Sequence, residues 1–220
     1  MTSTTQAAID RHELLTPSAA ELAADPSYAA EAGVMRGRLA TPGDAIRYML
    51  GGHATITVVS LRTGTRYTFK LSAAPKKPNG TDPTDVPVFV SVLQGTENES
   101  DYTYMACLFR AGAHVPAAGG RILRWTRGSK VNEYSPSALA FKWFWATLVW
   151  KDYMDSTRED TQLSALRLAE RQESFAARWG RMEIWHEGKC SRCKGKLTVP
   201  ASIAAGMGPK CRKIVAGQMH

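Results

Sequence analysis

Cys190, Cys193 and Cys211 fall within twenty-two residues of one another, and that spacing limits how the end of the chain can fold. Two thiolates in a Cys-x2-Cys knuckle can grip one face of a tetrahedral ion, while N–H groups of the turn ease the negative charge on sulfur. Gly195 lets the chain turn back after the knuckle. Pro200 starts a short helix that Gly206 ends, and Pro209 opens a last helix with Cys211 in its first turn. A helix N-terminus there favours the thiolate form of Cys211. The spacing therefore predicts one structural Zn2+ per chain, held by Cys190, Cys193 and Cys211. His186, four residues before Cys190, is the expected fourth ligand, with His220, water or Cys107 as alternatives. The segment is too short to bury a core of its own, and only Glu187 offers a nearby acid or base, so the ion is expected to staple rather than to catalyse.

Ahead of the cysteines the hydrophobic period changes twice. Thr41-Pro42-Gly43-Asp44 followed by AIRYML reads as a helix stopped at Gly51-Gly52. Residues 54–61 are β-branched, and Tyr67, Phe69 and Leu71 then alternate with Arg66, Thr68 and Lys70, which predicts a hairpin with one buried and one wet face. Strands are expected at 86–93 and 102–109, with a further strand or edge at 121–130. Ser135-Pro136 caps a helix through Trp150, on which Phe141, Phe144, Trp145 and Leu148 recur at helical spacing. A second helix is expected from about Thr157 to Arg178, and a short strand at 182–185. The fold class is α+β: a mainly antiparallel sheet with packed helices, plus a small C-terminal zinc module. The expected divisions are an N-terminal arm or frayed helix (1–40, with a start at Thr16-Pro17 and Glu21 in an early turn), a core domain (41–181) and the zinc module (182–220).

Several classes of protein are not expected. No run of about eighteen apolar residues exists to form a membrane span. The start, MTSTTQAAIDRHELL, lacks the basic and apolar regions of a secretory signal. Four cysteines, three of them at metal spacing, do not make a secreted disulfide framework. There is no phosphate-cradling loop, nucleophile elbow or dinucleotide fingerprint, so the chain is read as non-enzymatic. Glu97, Glu99 and Asp101 read as a solvated acidic turn, and His53 and His114 as structural residues.

The net charge of +8 is concentrated in residues 186–220, where Lys189, Arg192, Lys194, Lys196, Lys210, Arg212 and Lys213 face Glu187 alone. Such a field attracts polyanions or acidic protein surfaces. Arg121, Arg124, Arg127 and Lys130 surround Trp125, and basic side chains interleaved with a flat ring are what single-strand binders use. Arg62, Arg66 and Lys70 extend that patch if their strands adjoin it. Lys194, Lys196, Lys210 and Lys213 complete the expected nucleic-acid surface. The competing reading makes Trp125 a core residue, and Trp143, Trp145 and Trp150 helix-packing residues.

Three stretches of the tail carry a resemblance: His186-Glu187-Gly188-Lys189-Cys190-x-x-Cys193, Lys196-Leu197-Thr198-x-Pro200-x-Ser202-Ile203, and Gly206-x-Gly208-Pro209-x-Cys211. They resemble a short zinc motif of unknown function that recurs in phage and prophage proteins. The middle of the chain is similar to such proteins at Thr63-Gly64-Thr65-Arg66-Tyr67-Thr68 and from Phe89 to Tyr102. Lys194 and Met207 stand where that family leads one to expect a Gly and an Ile-like residue. The resemblance implies a phage-encoded zinc protein acting in the cytoplasm of the bacterial host, and supplies no activity. The expected partner is nucleic acid, single-stranded, in replication, recombination or expression. The alternative is an acidic host protein bound as a counter-defence measure.

Overall fold

A computed structural model describes residues 37–75, 86–97, 100–111, 117–156 and 165–216. Most of the expected N-terminal arm, with Thr16, Pro17 and Glu21, lies outside the described residues, as do Glu99, His114 and His220.

Helix α1 (Pro42–Met49) starts as its cap residues dictate. The Thr41 hydroxyl accepts the Asp44 N–H at 3.1 Å, and Pro42 sits where no N–H is needed. Strands β1 (His53–Ser60) and β2 (Arg66–Ala73) form the expected hairpin. Its turn is fixed by the Gly64 N–H on the Ser60 carbonyl (2.8 Å) and the Ser60 N–H on the Thr65 carbonyl (2.9 Å). Strands β3 (Val88–Leu93), β4 (Tyr102–Arg110) and β5 (Arg121–Arg124) continue the meander. The chain then runs through α2 (Pro136–Ser156) and α3 (Ala165–Trp179) to β6 (Met182–His186). Helices α4 (Pro200–Ala205) and α5 (Pro209–Ala216) follow.

The sheet order is β5-β4-β3-β2-β1-β6, with every neighbouring pair antiparallel. The fold is α+β. Because β6 pairs with β1, the helical excursion through α2 and α3 carries the chain from one edge of the sheet to the other. Residues 182–186, expected to belong with the metal module, are therefore the edge strand of the main sheet.

One face of the sheet is buried. Ala54, Ile56 and Val58 of β1 line up with Leu71 and Phe69 of β2 and with Val90 and Val92 of β3. Helix α2 covers them with Phe141, Phe144, Trp145 and Leu148, and the Phe69 and Phe141 rings meet edge-on with centroids 4.8 Å apart. Each such ring buried contributes about 1.5–3 kcal/mol. The alternate residues Thr57, Thr68, Lys70 and Ser91 take the opposite face, and the Thr57 and Thr68 hydroxyls are 2.9 Å apart.

The expected strand over 121–130 stops at Arg124, because Thr126 to Ser129 close a turn: the Ser129 N–H reaches the Thr126 carbonyl and the Ser129 hydroxyl accepts the Thr126 N–H. Helix α2 runs six residues beyond Trp150, and α3 begins at Ala165 among the described residues. No helix among the described residues is long and apolar enough to cross a membrane.

Candidate metal centre

After His186 the chain leaves the sheet through Gly188, at φ +76, and doubles back on itself. The Leu197 N–H bonds the Gly188 carbonyl and the Cys190 N–H bonds the Gly195 carbonyl, which closes the knuckle. Lys194 sits at φ +61, the only left-handed non-glycine among the described residues. That conformation accounts for the glycine expected at this position, since a Cβ there is disfavoured. Gly206, at φ +66, ends α4 and sends the chain through Met207 and Gly208 into α5, which carries Cys211.

These turns bring the Sγ atoms of Cys190, Cys193 and Cys211 within 4.8 Å of one another, close enough to hold one metal ion. Around them Leu197, Met207 and Val215 are buried, with Ile203 packed alongside. So small an apolar cluster cannot order thirty residues by itself, which is the situation in which small domains use a metal.

The sulfurs are not alike. Burial pushes the Cys190 thiol up, but the N–H groups of Cys193, Gly208 and Arg192 outweigh it and bring the thiol down to about 7. Cys211 is raised instead, by burial and by the Cys193 and Cys190 thiols beside it.

His186 is not brought to the sulfurs. Its place opposite Ile56 points the ring into the sheet's buried face. Its Nδ1 accepts the Gly188 N–H at 3.0 Å and its Nε2 lies 2.6 Å from the Ile203 carbonyl, so Nε2 carries the proton. Both ring nitrogens are engaged, and the arrangement does not meet the expectation of a His186 ligand. Burial holds the imidazole neutral by lowering its pKa, against the opposing pull of the Ile203 carbonyl and Glu187. Cys107, an alternative, lies on β4, four strands and roughly 19 Å from β6. Burial pushes its thiol up to about 11. His220 lies outside the described residues.

The expected basic surfaces separate. Lys194, Lys196, Lys210 and Lys213 are all exposed, as are Lys189, Arg192 and Arg212. Arg121 is corrected from a surface to a buried residue: its guanidinium donates to the Val86 carbonyl at 2.6 Å. Trp125 packs against the core and its indole N–H donates to the Val131 carbonyl. Its ring face is taken by the Lys142 ammonium, 4.6 Å from the centroid. Arg124, Arg127 and Lys130 are exposed, but β5 is the edge opposite β6, roughly 24 Å across the sheet from the module. Arg66 and Lys70 lie on β2, with two strands between them and β5, and do not extend that patch. Of the three tryptophans on α2, only Trp145 is buried, while Trp143 and Trp150 are each 38% exposed.

No curated protein and no solved structure matches the chain. Residues 185–216, which hold all three clustered cysteines, match a family of unknown function (DUF6011).

Proposed function

We propose that the protein binds nucleic acid without acting as an enzyme, and that its cysteine module makes the contact. The observation that carries this reading is the exposure of all seven cations of residues 186–216, the segment that holds the three sulfurs, against the single carboxylate of Glu187. Phosphates are neutralised by such a surface without any sequence readout. Burial lowers the pKa of His53, and Lys194 on the knuckle and Lys70 on β2 lower it further, so both ammonium groups act on this one imidazole.

An all-sulfur set suits Zn2+, which takes thiolates in tetrahedral geometry. The metal's part is structural: it holds the cations on one small, rigid unit. The phage-like tail motif adds the setting, which is replication, recombination or expression of an infecting genome in the bacterial cytoplasm.

Fluorescence anisotropy with single-stranded DNA and RNA oligonucleotides over a salt series tests this. Affinity is expected to fall steeply with salt and to depend little on sequence. Changing Lys194, Lys196, Lys210 and Lys213 to Ala should lower affinity and flatten the salt slope by about 0.7 for each phosphate no longer neutralised. No binding at low salt overturns the reading, and capture of one acidic host protein in its place turns the same surface to the alternative partner.

A further inference from the structure

A cavity of about 500 Å³ opens at the turn of the β1–β2 hairpin, between that turn, α2 and the start of β6. It lies at the end of β6 away from the cysteines, so it is separate from the metal module. Its size falls within the range of small-molecule sites.

Two arginines line it, Arg62 from the turn and Arg181 from the residue before β6. The backbones that carry them are joined next to Arg62, where the Leu61 N–H bonds the Arg181 carbonyl at 2.9 Å. Both are exposed, and among the described residues neither has an ion-pair or hydrogen-bond partner for its guanidinium and no carboxylate lines the cavity. Two unpaired guanidinium groups with no balancing acid favour a dianion, and their planar forks match a phosphate. The rest of the lining calls for more than bare phosphate. The half-exposed Trp143 indole offers a flat face, and the hydroxyls of Ser60, Thr63 and Thr65 offer donors and acceptors beside the arginines. Thr63 and Thr65 already bond each other at 3.0 Å, so these hydroxyls are held in place by the turn.

We propose that this cavity binds a nucleoside 5′-phosphate, with Arg62 and Arg181 on the phosphate and Trp143 against the base. The phosphate monoester belongs either to a free mononucleotide or to the 5′ end of a strand.

Calorimetry on the full chain tests the site with adenosine 5′-monophosphate, adenosine and inorganic phosphate. The monophosphate is expected to bind more tightly than either fragment. Arg62→Ala and Arg181→Ala, both at exposed positions, should each weaken it at least about tenfold, the effect of losing a charged hydrogen bond. Trp143→Ala should weaken the monophosphate while leaving phosphate binding unchanged. A 5′-phosphorylated oligonucleotide that competes where its 5′-hydroxyl counterpart does not identifies a strand end as the source, and competition by the free nucleotide alone identifies a mononucleotide. Changing the four lysines of the metal module should leave the monophosphate affinity intact, which separates this site from the proposed tail contact. No saturable binding of the monophosphate, equal binding of adenosine, or affinity unchanged in R62A/R181A overturns the assignment.

Discussion

The Tyr48 ring packs against Gly206 so closely that a Cβ on Gly206 would overlap Tyr48 Cδ2. Tyr48 belongs to α1 and is fully buried, whereas Gly206 belongs to the cysteine module. The His186 ring sits beside the same tyrosine, with centroids 5.0 Å apart, and Gly37 lies against its Nε2 edge with no room for a Cβ. The Ser191 carbonyl, inside the knuckle, accepts the His53 N–H that opens β1. The module is therefore seated on the sheet edge and on α1, and whatever orders the cysteines also supports the first strand.

Gly206→Ala should be severe for two separate reasons. The added methyl meets a buried ring, and φ +66 strains any residue with a Cβ. A loss of roughly 2–5 kcal/mol is expected, read as a fall in the urea midpoint. Tyr48→Leu should relieve part of that loss in the double variant, because the clash is shared by the two positions. Strictly additive losses would show that the ring contact does not matter.

One metal ion per chain is expected from the three clustered sulfurs, and elemental analysis should identify it as zinc. Cys193→Ser should abolish retention and expose residues 187–216 to limited proteolysis, since metal binding and folding are coupled in modules this small. Binding must displace the thiol protons still present, and the Cys190 thiol titrates at about 7 while Cys211 is higher. Retention against a chelator should therefore weaken as the pH falls from about 8 to about 6. Retention independent of pH over that range would contradict thiolate ligation.

His186 predicts a second pH effect with its own origin. Its folded pKa lies below the ordinary 6.5 because the ring is buried, so the unfolded chain takes up a proton that the folded chain refuses. Stability from the neutral ring is fully present above 6.5 and is lost as the pH falls through that value towards the folded pKa. In His186→Gln, which can still donate to the Ile203 carbonyl, the urea midpoint should fall less than in the wild type over this range. Parallel curves for the two proteins would remove His186 as the cause.

The parts of the fold that local chemistry dictates were legible in the sequence. Thr41-Pro42 starts α1, the alternation at Tyr67, Phe69 and Leu71 yields β2, and Cys190-x2-Cys193 makes the knuckle. What was missed depends on long-range pairing. Proximity to Cys190 in the sequence made His186 look like a ligand, yet its orientation is set by Ile56, far earlier in the chain. A signal was present: Met182, Ile184 and His186 are the buried alternates of β6, and period two puts the histidine inside with them. Arg121 faces inward for a comparable reason, through its register with Arg110, and satisfies a backbone carbonyl there. The separation of the two basic segments follows from strand order, which no local pattern encodes.

A core role and a stacking role for Trp125 diverge in measurement. The ring packs on the core, its N–H is spent on the Val131 carbonyl, and Lys142 covers its face while pairing with Glu133 at 2.8 Å. Lys142 also lies 5.2 Å from the Tyr134 ring centroid, so the two aromatics share one cation. A base could stack on Trp125 only by displacing that ammonium. Trp125→Ala should thus cost about 1.5–3 kcal/mol of stability, because the ring is only partly buried against the core. Oligonucleotide affinity of the folded fraction should stay unchanged, and Lys142→Ala should cost far less than Trp125→Ala. A stable, folded Trp125→Ala protein that loses oligonucleotide binding would return the ring to the role of a stacking platform.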